Sequence, residues 1–246
     1  MIETAAGGHV ARITLAAPER HNALDRAGIA AFHAALDALQ PEARVLVITG
    51  RGKSFCAGAA LGDVGASDWT ENPLTALCDR IEALAMPTVC ALNGGVYGGG
   101  VELALSCDFR IGVTGMRMFA PPAELGIHYP PEGMARAERL LGLRLTRQIF
   151  LLARRFGDAE LLEAGFLDEL VAPEGLEAAT GTLVDRITAL APLAVQGMKL
   201  SLYEHGRGSG EPDAVRARIA ACFASEDHAE ALAARAQKRP PVFRGR

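Results

Sequence analysis

The 246-residue sequence lacks the marks of several large protein classes. It has no positive excess: 25 Lys and Arg stand against 29 Asp and Glu, a net charge of −4, so the basic face of a nucleic-acid binder is not expected. No stretch approaches the roughly 18 consecutive apolar residues of a membrane span. The N-terminal segment has no basic region leading into a long apolar core, so no secretory signal is expected. The five cysteines are odd in number, form no C-x-x-C and sit in apolar or helical surroundings. Reduced core thiols are therefore expected, and a zinc or other metal site is not. These absences leave a cytoplasmic protein as the expectation.

Three glycine motifs are missing as well. No G-x-G-x-x-G can be placed in the glycine-rich centre, which excludes the dinucleotide fingerprint there. Gly52-Lys53-Ser54 follows a strand and resembles the end of a P-loop, but Val47 occupies the place of the required glycine. There is no G-x-S-x-G nucleophile elbow. Internal repeats and low-complexity tracts are absent too.

What is present is ordinary in bulk: 50% apolar and 22% charged residues, enough to bury a full core. Strand-like and helix-like patterns alternate from residue 10 to 171, which predicts an α/β body with crossover connections. Strands are expected at 10–15, 44–49, 88–92, 109–113, 116–120 and 167–171. Helices are expected from an Asp25 cap to about 39, over 74–84, 134–141 and 145–156, and from an Asp158 cap to Gly165. Beyond Pro173 the pattern is helical only. The division expected is an α/β core over 1–191 and a helical region over 192–246, with apolar stripes too rich for a lone solvent-facing helix.

The organising stretch is 88–112. A buried strand runs into five glycines within seven residues (94, 95, 98, 99 and 100), and the turn opens a helix at Val101. Such a helix start presents unpaired N–H groups and a positive dipole end, suited to an anion or oxyanion. Glu102 lies in the first turn. It reads either as a dipole-complementing carboxylate or as an acid or base aimed at whatever the N–H groups hold.

Two segments, 54–59 (Ser-Phe-Cys-Ala-Gly-Ala) and 93–108, resemble the signature segments of the crotonase family, the enoyl-CoA hydratase/isomerases. Residues 20–25, 159–171 and 238–243 resemble further family segments in the right order. The resemblance implies a spiral of ββα units and a C-terminal helical region for trimerisation, commonly as a dimer of trimers. It implies an acyl thioester of coenzyme A as substrate, with no separate cofactor. The thioester oxygen would be gripped by the N–H groups of Ala59 and Gly99. Glu102 matches the family's first catalytic glutamate. The second falls on Ala123, in a loop one residue short, so Glu124 is the candidate for its role. Tyr129 stands in a Leu-Gly-x-x-Tyr context found in decarboxylase-like members. His128 reads as a surface loop residue. Arg20, Ala23, Ala57, Leu61, Trp69, Gly98, Lys238 and Phe243 are the candidate substrate and coenzyme A contacts. Hydration of 2-enoyl-CoA is the expected activity. Double-bond migration, decarboxylation, thioester hydrolysis and binding without turnover stay open as alternatives.

Overall fold

A computed structural model describes residues 2–60 and 72–246. Among them the strands form two sheets. The larger has the order β1 (Ile2–Gly7), β2 (Val10–Leu15), β3 (Val45–Gly50), β5 (Thr88–Leu92), β7 (Phe109–Val113) and β10 (Glu169–Val171). Only β1 and β2 pair antiparallel; the other neighbours run parallel. The smaller sheet has the order β4 (Ser54–Cys56), β6 (Gly95–Tyr97), β8 (Arg117–Phe119) and β9 (Phe156–Gly157). Strand–helix–strand crossovers give α/β architecture of ββα type, as the alternating pattern predicts.

The strand sequences explain their depth. In β3, Val45–Ile48 are all fully buried, because helices or the second sheet cover both faces of a parallel sheet. In β2, residues alternate between buried and half-buried, and Ala11, Ile13 and Leu15 face the main core. That core fills the space between the sheets and the helices α1 (Arg26–Asp37), α2 (Pro73–Glu82), α3 (Gly99–Leu105) and α4 (Pro131–Phe150). Asp25 caps α1 as expected, its carboxylate accepting from the Gly28 N–H at 2.7 Å. A smaller cluster on the opposite face of the large sheet joins Val45, Val47, Val89, Ala91 and Ile111 to Val184 and Ile187 of α6 (Leu176–Thr188).

Two expectations need correction. The two helices expected at 134–141 and 145–156 are both present, meeting within α4 at a kink where Gly142 has non-helical backbone (φ 72°, ψ 159°), but the second does not reach 156. It ends at Phe150, and Phe156-Gly157 pairs with β8 instead. The helix after it, α5 (Asp158–Glu163), starts one residue earlier than the Asp158 cap predicts; Asp158 instead accepts the Gly115 N–H at 2.6 Å, tying α5 to the turn after β7.

Three helices follow α6: α7 (Pro192–Arg207), α8 (Pro212–Ala224) and α9 (Glu226–Ala236). Polar bonds lock α7 to the body. Lys199 donates to Asp108 at 2.7 Å and to the Met86 carbonyl at 2.8 Å, and Arg207 reaches Asp79 and Glu82 at 2.8 and 2.9 Å. The final residues fold back on α9, with the Arg244 and Gly245 N–H groups bonded to the two oxygens of Asp227. No helix among the described residues is long and apolar enough to cross a membrane.

Candidate active site

The site begins where two glycine-containing turns meet. The turn after β4 carries Gly58 at φ +82°, a conformation that L side chains avoid, and a Cβ there would collide with the Gly99 nitrogen. Glycine at 58 is therefore what lets the 57–60 turn lie against the start of α3. A Cβ built on Gly99 would in turn sit 3.6 Å from the Ala59 nitrogen. The orientation of Ala59 follows from its neighbours. Leu24 N–H donates to the Gly58 carbonyl at 2.8 Å, and Ala60 N–H donates to the Leu24 carbonyl at 2.9 Å. The Ala59 N–H between these two bonds points away from Leu24. Gly99 is the first residue of α3, whose first-turn N–H groups have no partner within the helix.

Glu102 lies one turn further along α3 and is 2% exposed. Its carboxylate has three partners, from two other helices and the loop before α4. Arg136 of α4 donates at 2.6 Å to one oxygen. The Tyr129 hydroxyl donates to the other at 2.8 Å, and Thr75 of α2 approaches that same oxygen at 3.4 Å. Gly133 makes room for this convergence. A Cβ there would come within 2.6 Å of the Tyr129 ring and 2.9 Å of the Glu102 carboxylate.

Burial is the largest influence on Glu102 and raises its pKa. Arg136, Tyr129 and Thr75 oppose the rise without cancelling it. Tyr129 is pushed well above the ordinary phenol value, by burial first and then by the Glu102 charge. It therefore stays a protonated donor to Glu102. Its ring packs against Phe150, with centroids 4.7 Å apart.

Arg136 is fully buried and serves three carboxylates: Glu102, Asp79 at 2.5 Å and Glu82 at 3.1 Å. Arg139 adds a second cation to Glu82 and Arg207 a third to both Asp79 and Glu82. Burial pushes the Glu82 carboxyl up, but Arg136, Arg207 and Arg139 together hold it below its ordinary value.

Of the sequence-predicted residues, Ala59, Gly99, Glu102 and Tyr129 are brought together here, with Ala57 and Gly98 in the same two turns. Ala23 adjoins them through Leu24, and Arg20 is bonded to Asp25 at 2.9 Å. Glu124 is placed apart from this group. It lies exposed on a short 3₁₀ turn, its carboxylate 3.7 Å from Arg155, and it is not among the partners of Glu102. Ala123 beside it on the same turn is exposed as well. His128 is exposed. Lys238 and Phe243 belong to the tail after α9, where the Phe243 carbonyl accepts from Arg44 at 2.8 Å. Leu61 and Trp69 lie outside the described residues. Sequence reasoning missed Arg136 and Thr75. The available signal was Arg136 on the inner face of its helix, between Gly133 and Ala137, where an arginine needs buried partners.

A family model described as enoyl-CoA hydratase/isomerase matches residues 5–246. The chain is 34% identical over 244 residues to the probable enoyl-CoA hydratase echA6 of Mycobacterium bovis, covering 96% of each protein. It is 31% identical to the short-chain-enoyl-CoA hydratase of Clostridium acetobutylicum, covering 94% of this chain and 93% of that protein. Among solved structures, an enoyl-CoA hydratase subunit from Geobacillus kaustophilus superposes with a TM-score of 0.89 at 32% identity, over 100% of this chain and 98% of that one. An enoyl-CoA hydratase/carnithine racemase from Magnetospirillum magneticum gives 0.92 at 25% identity, over 100% and 96%.

Proposed function

Since the chain belongs to the enoyl-CoA hydratase/isomerase family, we propose that it acts on enoyl thioesters of coenzyme A, with an enolate oxygen held by the Ala59 and Gly99 N–H groups and Glu102 moving the proton. The observation that carries this reading is Glu102: a buried carboxylate of raised pKa, one turn from the amide of Gly99. A general acid–base group works best with its pKa lifted toward the working pH, and burial supplies that lift. Each oxyanion donor is worth about 3–4 kcal/mol in comparable sites.

Hydration of a 2-enoyl thioester balances on one carboxylate. Glu102 takes a proton from water, the hydroxide oxygen bonds to C3, and the C2=C3 electrons move onto the thioester oxygen. The protonated Glu102 then returns that proton to C2 as the enolate collapses. Tyr129 and Arg136 hold the carboxylate in place throughout. The second reading, migration of a double bond between 3-enoyl and 2-enoyl thioesters, is favoured by the outward position of Glu124. Moving a proton from C2 to C4 needs a single base and no activated water. Comparing turnover of crotonyl-CoA with turnover of a 3-enoyl-CoA separates the two. Absence of turnover on both, with the fold intact, would overturn the reading.

The same family reading makes the chain a homotrimer or dimer of trimers. Exposed Met198 and Leu202 on α7, and Ile219 and Phe223 on α8, offer apolar area for subunit contact. Lys238 and Phe243 would meet coenzyme A only across such a contact. Light scattering tests this, and a monomer at micromolar concentration would refute it.

A further inference from the structure

We propose that Arg207, at the C-terminal end of α7, is a positioning residue that sets how much of the Arg136 charge is available to Glu102. The proposal rests on the reading of Glu102 as the proton-transfer group. The argument comes from shared atoms. Asp79 Oδ1 accepts from both Arg136 and Arg207, at 2.5 and 2.8 Å. Glu82 Oε2 also accepts from both, at 3.1 and 2.9 Å. Arg207 thus sits on the very two oxygens that pull the Arg136 guanidinium away from Glu102. With Arg139 on the remaining Glu82 oxygen, three guanidiniums balance three carboxylates.

Without Arg207, three carboxylates share two cations. Asp79 and Glu82 then draw harder on Arg136, and Glu102 keeps less of its only cationic partner among the described residues. Its protonated form gains. The other groups around Glu102 do not offset this. Thr75 and Tyr129 are neutral donors. The Cys78 thiol is held neutral by burial, with a pKa well above the ordinary thiol value. The strands β4 and β6, packed on α3, add only the Cys56 thiol, pushed up to about 12 by burial, and the phenol of Tyr97. Arg207 reaches Glu102 only through this shared pair of carboxylates, so its effect falls on protonation and not on substrate contact.

The test reads Glu102 without substrate. Infrared difference spectra of the assembled protein report the C=O stretch of a protonated buried carboxyl group, assigned by its loss in Glu102→Gln. In Arg207→Met the titration midpoint is expected to rise by about 0.4–1.5 pH units, the span that couplings of this kind cover. In Arg207→Lys it stays near wild type. In Asp79→Asn, which frees Arg136 toward Glu102, it falls. General loosening of the helix packing would move both charge-removing variants the same way. Opposite movements therefore support the proposal. An unchanged midpoint in Arg207→Met, or shifts of one sign in both variants, overturns it. Because no substrate is used, this outcome is independent of crotonyl-CoA turnover by the wild-type protein, which tests the functional reading. In an active enzyme, Arg207→Met should also move the acid limb of kcat upward while leaving KM near wild type.

Discussion

Replacing Arg136 with methionine removes a guanidinium that is 0% exposed from a carboxylate that is 2% exposed. Asp79 and Glu82 keep Arg207 and Arg139, but Glu102 keeps only the neutral donors Tyr129 and Thr75. Breaking a buried pair by deleting one partner costs about 3–5 kcal/mol, because the remaining charge is stranded. The new apolar contacts of methionine do not outweigh that. The protein can relieve the cost by protonating Glu102, and this makes the penalty depend on pH. Burial already lifts the Glu102 pKa above its ordinary 4.5, and loss of Arg136 lifts it further. A carboxyl raised on folding contributes stability that is fully present below its unfolded value and is lost as pH rises through the folded one. The Arg136→Met penalty should therefore be small in mild acid and grow toward neutral pH. Urea unfolding at fixed protein concentration measures it at both conditions. The double variant with Glu102→Gln should be less destabilised at neutral pH than Arg136→Met alone, since glutamine carries no charge to strand. A neutral-pH penalty within the about 0.5 kcal/mol typical of surface changes, or one that does not vary with pH, would refute this account of the pair.

Glu102→Gln should lower turnover of the enoyl thioester by about 10²–10⁴-fold, the usual contribution of a positioned acid or base, with circular dichroism unchanged. Glu124→Gln should leave turnover near wild type, and a large loss there would restore a two-carboxylate mechanism. Gly58→Ala should cost about 10²–10³-fold in kcat, comparable to losing an oxyanion donor, since its methyl displaces the Gly99 nitrogen; retained kcat would argue against the amide pair. The acid limb of kcat/KM should lie above 4.5, because Glu102 must be ionised to accept a proton and its pKa is raised. In Tyr129→Phe that limb should move higher still, as one donor to the ionised form is gone.

The parts of the fold that read clearly in the sequence are those whose pattern is local. Residues 45–48 and 88–92 are apolar runs buried on both faces, and Asp25 announces its helix by a short-range cap. Other elements carry no such signal. Strand β1 is mostly exposed and pairs on one side only, so it shows no inward face. Strands β4 and β6 are three residues each, and they exist because two glycine loops pair with one another. The apolar pattern of α4 continues into Leu151 and Leu152, yet both are 71% exposed, and this misled the boundary. Within the site, Glu102 was legible from the glycines before it. Its partners Tyr129 and Arg136 arrive from 27 and 34 residues away, brought in by packing that no local spacing encodes.

The strand order has a thermodynamic consequence. Along the chain, β3, β5, β7 and β10 enter the larger sheet, while β4, β6, β8 and β9, interleaved between them, enter the smaller. Extracting either sheet would require pulling the connecting segments of the other through a shared core. Neither sheet can therefore serve as a separate folding unit, and a cut anywhere between residues 57 and 155 severs both. Loss of the smaller sheet, which carries the turns of the site, should coincide with loss of the larger. Amide exchange in β4 and β6 should accordingly fall in the same cooperative opening as β3 and β5, so that the site persists for as long as the α/β body does.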